Sequence, residues 1–196
     1  MKELALFPLR NLLFPGARMG LQIFEPRYLD LVRDSLRHDR PFGVVPIRDG
    51  SEVVLPGADP MPRLAPLGTF ARIVDWDAAA SNLLLVTIEG EGKFRLLATE
   101  QQKNFLVRAE VEVLLPEPPL PLPPEADDLP SLLEQLLQHP LMARLQMQPA
   151  SDGGLLANQL AQLLPLPRSV QLELLAEFDP ARRLQRVLDL VQGSGG

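Results

Sequence analysis

Six of the nine residues from Pro116 to Pro124 are proline, and no other feature divides the chain so sharply. Each proline lacks a backbone N–H and fixes φ, so the run can neither join a sheet ladder nor continue a helix. It favours a stiff, extended backbone. The hydrophobic period differs on its two sides. Before it, Val107, Ala109, Val111 and Val113 alternate with Arg108, Glu110 and Glu112, the period of a strand with one buried and one wet face. After it, Leu129, Leu132, Leu133, Leu136 and Leu137 recur as on one helical face. The pattern predicts a strand-rich domain over residues 1–115, a proline-rich linker over 116–128 and a helical bundle over 129–192.

Within the first part, short apolar runs closed by turn residues predict strands at Leu4–Phe7, Leu12–Phe14, Leu21–Phe24, Phe42–Ile47, Val53–Leu55, Gly68–Trp76, Asn82–Glu89 and Phe94–Leu97. Asp49-Gly50 is a hairpin signal, and the prolines from Pro56 to Pro66 mark a loop. Glu25-Pro26 opens a helix, with proline suited to its first position and a carboxylate at its positive end. Leu29, Val32 and Leu36 form that helix's expected stripe, with Tyr28 and Leu31 beside it. So many short strands suggest a small barrel or sandwich. Beyond the linker, Pro140 ends a first helix. Leu156, Leu160 and Leu163 mark a second, Val170, Leu174, Leu175 and Phe178 a third, and Leu184, Val187, Leu188 and Val191 a fourth after Asp179-Pro180. The expected fold class is α+β.

Composition excludes several chemistries. The chain holds 196 residues and no cysteine, so neither a disulfide framework nor thiolate catalysis is available, and a cytoplasmic setting is expected. Met1-Lys2-Glu3-Leu4 lacks the form of a signal peptide, and the apolar runs are too short to span a bilayer. The net charge of −6 and 5% aromatic content weigh against nucleic acid as a partner. A phosphate-binding loop needs Gly-Lys followed by Ser or Thr, but Phe94 follows Gly92-Lys93. Lys2, Lys93 and Lys103 stand in no serine–lysine peptidase motif. Neither an enzyme nor a cofactor is expected. Two histidines, His38 and His139, are too few for a zinc site without carboxylates from both domains. His38 reads as solvated and His139 as a helix C-terminal cap. Asp75 and Asp77 share one strand face, with Trp76 on the other, and read as solvated acids. Arg182, Arg183 and Arg186 read as a solvated helix face, and the leucine stripes as core. Arg10, Arg27 and Tyr28 form the most interesting polar group. They could line a groove and hold a peptide carboxylate, or serve only to pack the helix onto the barrel.

The opening segment Pro8-Leu9-Arg10-Asn11-Leu12-Leu13-Phe14-Pro15-Gly16, with Ile23-Phe24-Glu25-Pro26-Arg27-Tyr28, resembles the N-terminal substrate-binding domain of Lon-type ATP-dependent proteases. Gly68-Thr69-Phe70-Ala71-Arg72-Ile73, Gly90 to Leu96 and Gln171 to Leu184 extend the resemblance over nearly the whole chain. Lys93 stands where that family has arginine; it keeps the charge and loses the planar fork. The resemblance implies a PUA-like β pseudobarrel followed by an α-helical bundle, acting as a stand-alone, non-catalytic module. It implies unfolded or extended polypeptide as partner, a role in protein quality control or proteolysis, and an ATPase or protease acting in trans. The substrate-binding residues expected on this reading are Arg10, Phe14, Pro15, Arg27 and Tyr28, with the loop from Pro56 to Pro66 nearby. The alternative is an RNA-binding PUA-like protein, which would need a basic surface with stacking aromatics.

Overall fold

In the computed structural model, residues 2–52, 61–79 and 83–193 are described. The expected strand Val53–Leu55 and the first half of the Pro56–Pro66 loop lie outside them. Internal contacts group the chain into two units. One takes the chain up to Leu13 and from Arg18 to Leu115; the other takes Phe14–Ala17 and the chain from Pro116 onward.

The first unit is built from β1 (Lys2–Leu9), β2 (Arg18–Ile23), α1 (Pro26–His38), β3 (Phe42–Asp49), β4 (Arg63–Leu64), β5 (Leu67–Ala79), β6 (Leu83–Gln101) and β7 (Val107–Val113). All pairings are antiparallel except β1–β3. Because β1 pairs with β7 on one edge and with β3 on the other, the path β1–β7–β6–β5–β3 closes on itself. Closure leaves these strands few free edges. β2 lies outside the ring, on β6, and β4 extends the end of β3.

Alternation along β1 and β3 feeds two cores. Leu4, Leu6 and Val45 join Phe70, Phe94, Val107, Ala109 and Val111 in one cluster. Phe7, Leu9, Phe42 and Val44 join Tyr28, Leu31 and Val32 of α1 in the other. Strands buried on both faces read as continuous apolar runs, as LALFPL and FGVVPI do. Gly43 and Gly68 make room for the Phe94 ring, whose Cζ would lie 2.7 and 2.4 Å from a Cβ at those positions.

Four expectations need correction here. Leu12–Phe14 is not a strand: the three buried side chains lead into a turn closed by Ala17 N–H to the Phe14 carbonyl. The two strands expected at 82–89 and 94–97 are one, β6. Its register shifts opposite Thr69 and Ala71, so Gly90-Glu91-Gly92 hosts a bulge, not a break. On α1 the buried face is Arg27, Tyr28, Leu31, Val32 and Ser35, while Leu36 is exposed. His139 caps the start of a helix, not an end: its Nδ1 accepts from the Leu141 N–H at 3.3 Å.

The second unit holds a 3₁₀ turn at Pro124–Ala126, then α2 (Leu129–Leu137), α3 (Pro140–Ala143), α4 (Gly153–Leu163), α5 (Arg168–Ala176) and α6 (Pro180–Gly193). Asp152 caps α4, its Oδ1 accepting from the N–H groups of Gly154 at 2.8 Å and Leu155 at 3.0 Å. Leu129, Leu133, Leu156, Leu160, Leu174, Leu175, Leu184, Val187 and Leu188 are buried. The proline-rich run groups with this unit. The Leu120 carbonyl accepts from Gly153 N–H at 2.7 Å. Arg183 is fully buried and paired with Glu117. The expected solvated face of α6 therefore keeps only Arg182 and Arg186 exposed; a guanidinium met by a carboxylate and by the Glu177 carbonyl can be buried.

Candidate functional site

Arg27 and Tyr28 stand in the first turn of α1, where Pro26 fixes the entry of the chain. Glu25, at the N-cap, makes no capping bond. Its carboxylate instead faces the Arg27 guanidinium, 3.0 Å from Nε and 2.9 Å from Nη2. Arg27 Nη1 donates to the Phe105 carbonyl at 2.9 Å and Nη2 to the Glu52 carbonyl at 3.0 Å. Phe105 has φ of +65°, in a turn closed by Gln102 N–H to Leu106 O at 2.8 Å. One side chain thus fastens the helix start, the 102–106 turn and the backbone just after β3. The guanidinium also lies over the Tyr28 ring, 4.3 Å from its centroid, and the Phe7 ring stacks on Tyr28 at 4.0 Å. Burial pushes the Tyr28 hydroxyl up to about 12; Arg27 opposes that rise, and Glu25 and Glu52 add to it.

Arg10 is exposed at the end of β1. Its Nη2 donates to the Gly50 carbonyl at 2.8 Å, and its backbone N–H bonds the Glu52 carboxylate. Arg10 and Arg27 therefore hold the same loop from two sides. Phe14 is fully buried within the second unit. Its N–H donates to Gln162 Oε1 at 3.0 Å, and the Gly16 carbonyl accepts from Gln159 Nε2 at 3.0 Å. As folded, Phe14 has no surface to offer a ligand, and Pro15 beside it is half-buried. Of the five expected binding residues, the structure brings Arg10, Arg27 and Tyr28 together around Glu52 and places Phe14 and Pro15 elsewhere.

What the residue-level reading missed is a strand edge. β2 pairs only with β6, so its other edge carries no ladder among the described residues. A groove of about 200 Å³ follows it, lined by every residue from Met19 to Glu25 together with Leu9, Tyr28 and Glu52. Side chains alternate between the two faces of a strand, so a groove lined by consecutive residues runs along the edge and not over a face. Phe24, just past the strand, is 59% exposed. The sequence signal was an aromatic residue outside the alternation, immediately before Glu25-Pro26. Among the described residues, no three His, Cys, Asp or Glu side chains are placed to hold a metal ion. No described helix is long and apolar enough to cross a membrane.

Comparison with known proteins gives this geometry a context. The family model for the ATP-dependent protease La (LON) substrate-binding domain matches residues 3–193. Lon protease 4 of Sorangium cellulosum is 30% identical over 197 residues, 95% of this chain and 23% of that protein. The Lon protease of Paraburkholderia phytofirmans is 30% identical over 206 residues, 98% of this chain and 24% of that protein. The chain thus spans about a quarter of the length of the curated relatives it matches. Among solved structures, a Lon N-terminal domain protein from Xanthomonas campestris superposes with a TM-score of 0.73 at 37% identity, over 96% of this chain and 98% of that one. The N-terminal domain of a Mycobacterium avium complex Lon protease shares the fold, with a TM-score of 0.60 at 16% identity over 96% of this chain and 97% of that one.

Proposed function

We propose that this chain, which belongs to the Lon substrate-binding domain family, is a non-catalytic module that binds unfolded or extended polypeptide. The single observation that carries the reading is the open edge of β2, beside an apolar groove that ends at the exposed Phe24. An extended peptide can add to such an edge through backbone hydrogen bonds and seat alternate side chains in the groove. The closed strand path supports a pseudobarrel of the PUA-like type. The reading as non-catalytic rests on the missing phosphate-loop and peptidase motifs, and Lys93 of the lone Gly-Lys pair is buried in the strand-rich unit. A cytoplasmic role in protein quality control, with an ATPase or protease acting in trans, completes the proposal.

The test compares one protein in two forms, native and permanently unfolded by chemical modification, titrated against the chain at matched salt. The unfolded form should bind with an affinity on the order of micromolar, because ordering a flexible segment opposes binding. Phe24→Ala should weaken it about fivefold or more while leaving the fold intact, since the ring is largely exposed. Equal binding of both forms would defeat the reading. So would tight, steeply salt-dependent binding of an RNA oligomer in place of the unfolded chain.

A further inference from the structure

Two β-bulges face one cleft on the strand-rich unit. At the end of β3, Arg48 stands between the ladder pairs Ile47–Leu64 and Asp49–Arg63, so Arg48 and Asp49 together oppose Arg63. In β6, Leu97 stands between the pairs Leu96–Val111 and Ala98–Glu110. A bulge leaves its extra residue out of the ladder and re-aims the side chain. Both extra residues, Arg48 and Leu97, line the same cavity of about 610 Å³, with Arg63 at its rim and Met61, Leu64 and Leu96 as apolar wall.

The walls of this cleft are strand edges. β5 first pairs with β6 at Leu67–Arg95, so beyond Arg95 β6 is laddered only to β7. On the cleft side, Leu96 N–H donates to the Pro66 carbonyl at 2.9 Å. β4 is laddered only to β3.

The charge is unbalanced in the same place. Six arginines sit on strands. Four of them pair with carboxylates of the unit: Arg18 with Glu89, Arg72 with Glu91, Arg95 with Glu112 and Arg108 with Glu3. The other two are Arg48 and Arg63, both exposed, with no side-chain ion pair or hydrogen bond among the described residues. The neighbouring Asp49 accepts from Gly50 N–H at 2.9 Å. On a chain of net charge −6, two guanidiniums that meet no carboxylate among the described residues, over an apolar wall, are a complement to carboxylates.

We propose that this cleft binds an extended, acidic polypeptide segment. Its carboxylates meet Arg48 and Arg63, and a large apolar side chain rests against Leu97, Met61 and Leu64. The proposal rests on the polypeptide-binding reading and adds to it a second surface and a preferred charge.

The probe is an unstructured synthetic peptide with aspartates flanking one leucine, labelled for fluorescence anisotropy. Its counterpart carries lysines in place of the aspartates. The intact chain should bind the acidic peptide about tenfold more tightly than the basic one. Arg48→Glu with Arg63→Glu should reverse that preference with an unchanged circular dichroism spectrum, since neither side chain holds a partner among the described residues. Leu97→Asp should weaken the acidic peptide through the apolar wall. Equal binding of both peptides, or an affinity that the double charge reversal leaves unmoved, overturns the proposal. If the unfolded client still loses affinity on Phe24→Ala in that case, the polypeptide-binding reading stands without the cleft. A single-stranded oligonucleotide that displaces the acidic peptide, binding more tightly and with a steeper salt dependence, also overturns it by making the cleft a phosphate site.

Discussion

A guanidinium buried in a strand-rich unit costs several kcal/mol unless its donors are met, and Arg27 meets them with one carboxylate and two carbonyls. Sequence pattern singled out Arg10, Arg27 and Tyr28 as one polar group. It could not tell a ligand's carboxylate from that of Glu25, two residues away. Arg183 carries the same lesson: its partner Glu117 lies 66 positions earlier, so no local pattern marks it as buried. Tyr28 offers a direct test of the burial around Arg27. Its pKa is raised from 10.0 to about 12, first by burial. The folded state therefore holds the phenolic proton more tightly than the unfolded state does. The resulting stability is fully present below pH 10 and is lost as pH rises from 10 toward 12, by about 2–3 kcal/mol over the window. Tyr28 is the only tyrosine, so tyrosinate absorbance of the native protein reports this group alone. The midpoint should lie near 12, and Tyr28→Phe should remove that part of the alkaline loss in urea unfolding. A native midpoint near 10 would show that the ring is open to water.

Elements were legible where the period was long and one-sided, as in β7 and the four longer helices. They were misread where glycine carries tertiary information. Gly90-Glu91-Gly92 has the composition of a turn, yet β6 runs through it with a bulge, because a strand that bends within a closed path needs room at that point. The β1–β3 pairing is parallel and joins Leu6 to Gly43; it has no hairpin signal to betray it, since parallel neighbours need a crossover. Pro15-Gly16 forms a turn, closed by Ala17 N–H to the Phe14 carbonyl at 3.1 Å. Its role in packing was not visible. Gly16 has φ of +75°, and a Cβ there would lie 1.9 Å from Leu155 Cδ1 of α4. Gly16→Ala combines a left-handed alanine with a collision in a packed interior, and should lower stability by about 2–4 kcal/mol. Gly92→Ala is the control: a Cβ there finds only Phe70 Cδ2, at 4.0 Å. Similar unfolding midpoints for the two variants would show that the Phe14–Ala17 turn does not bear on α4.

At the scale of the whole molecule, the change of period across Pro116–Pro124 lies between β7, which ends at Val113, and α2, which begins at Leu129. The route of the chain was hidden. Four residues between β1 and β2, Phe14–Ala17, belong to the helical unit, and nothing in their sequence assigns them to the helices. Both ends of this segment are fixed by the strand-rich unit, so its loop-closure entropy is already spent while that unit is folded. Losing the fully buried Phe14 side chain would cost the helical unit about 3–5 kcal/mol, a large share of the 5–15 kcal/mol typical of a domain, by the usual range. Two native probes report the units separately. Trp76 on β5 is the only tryptophan, and most helical ellipticity comes from α2–α6. In urea, tryptophan emission and helical ellipticity should therefore change with coincident midpoints. Phe14→Ala should lower both midpoints together, although the substitution lies in the strand-rich part of the sequence. Two well-separated transitions, with Phe14→Ala moving neither the ellipticity midpoint nor its slope, would show that the helical unit folds without the segment it takes from between β1 and β2.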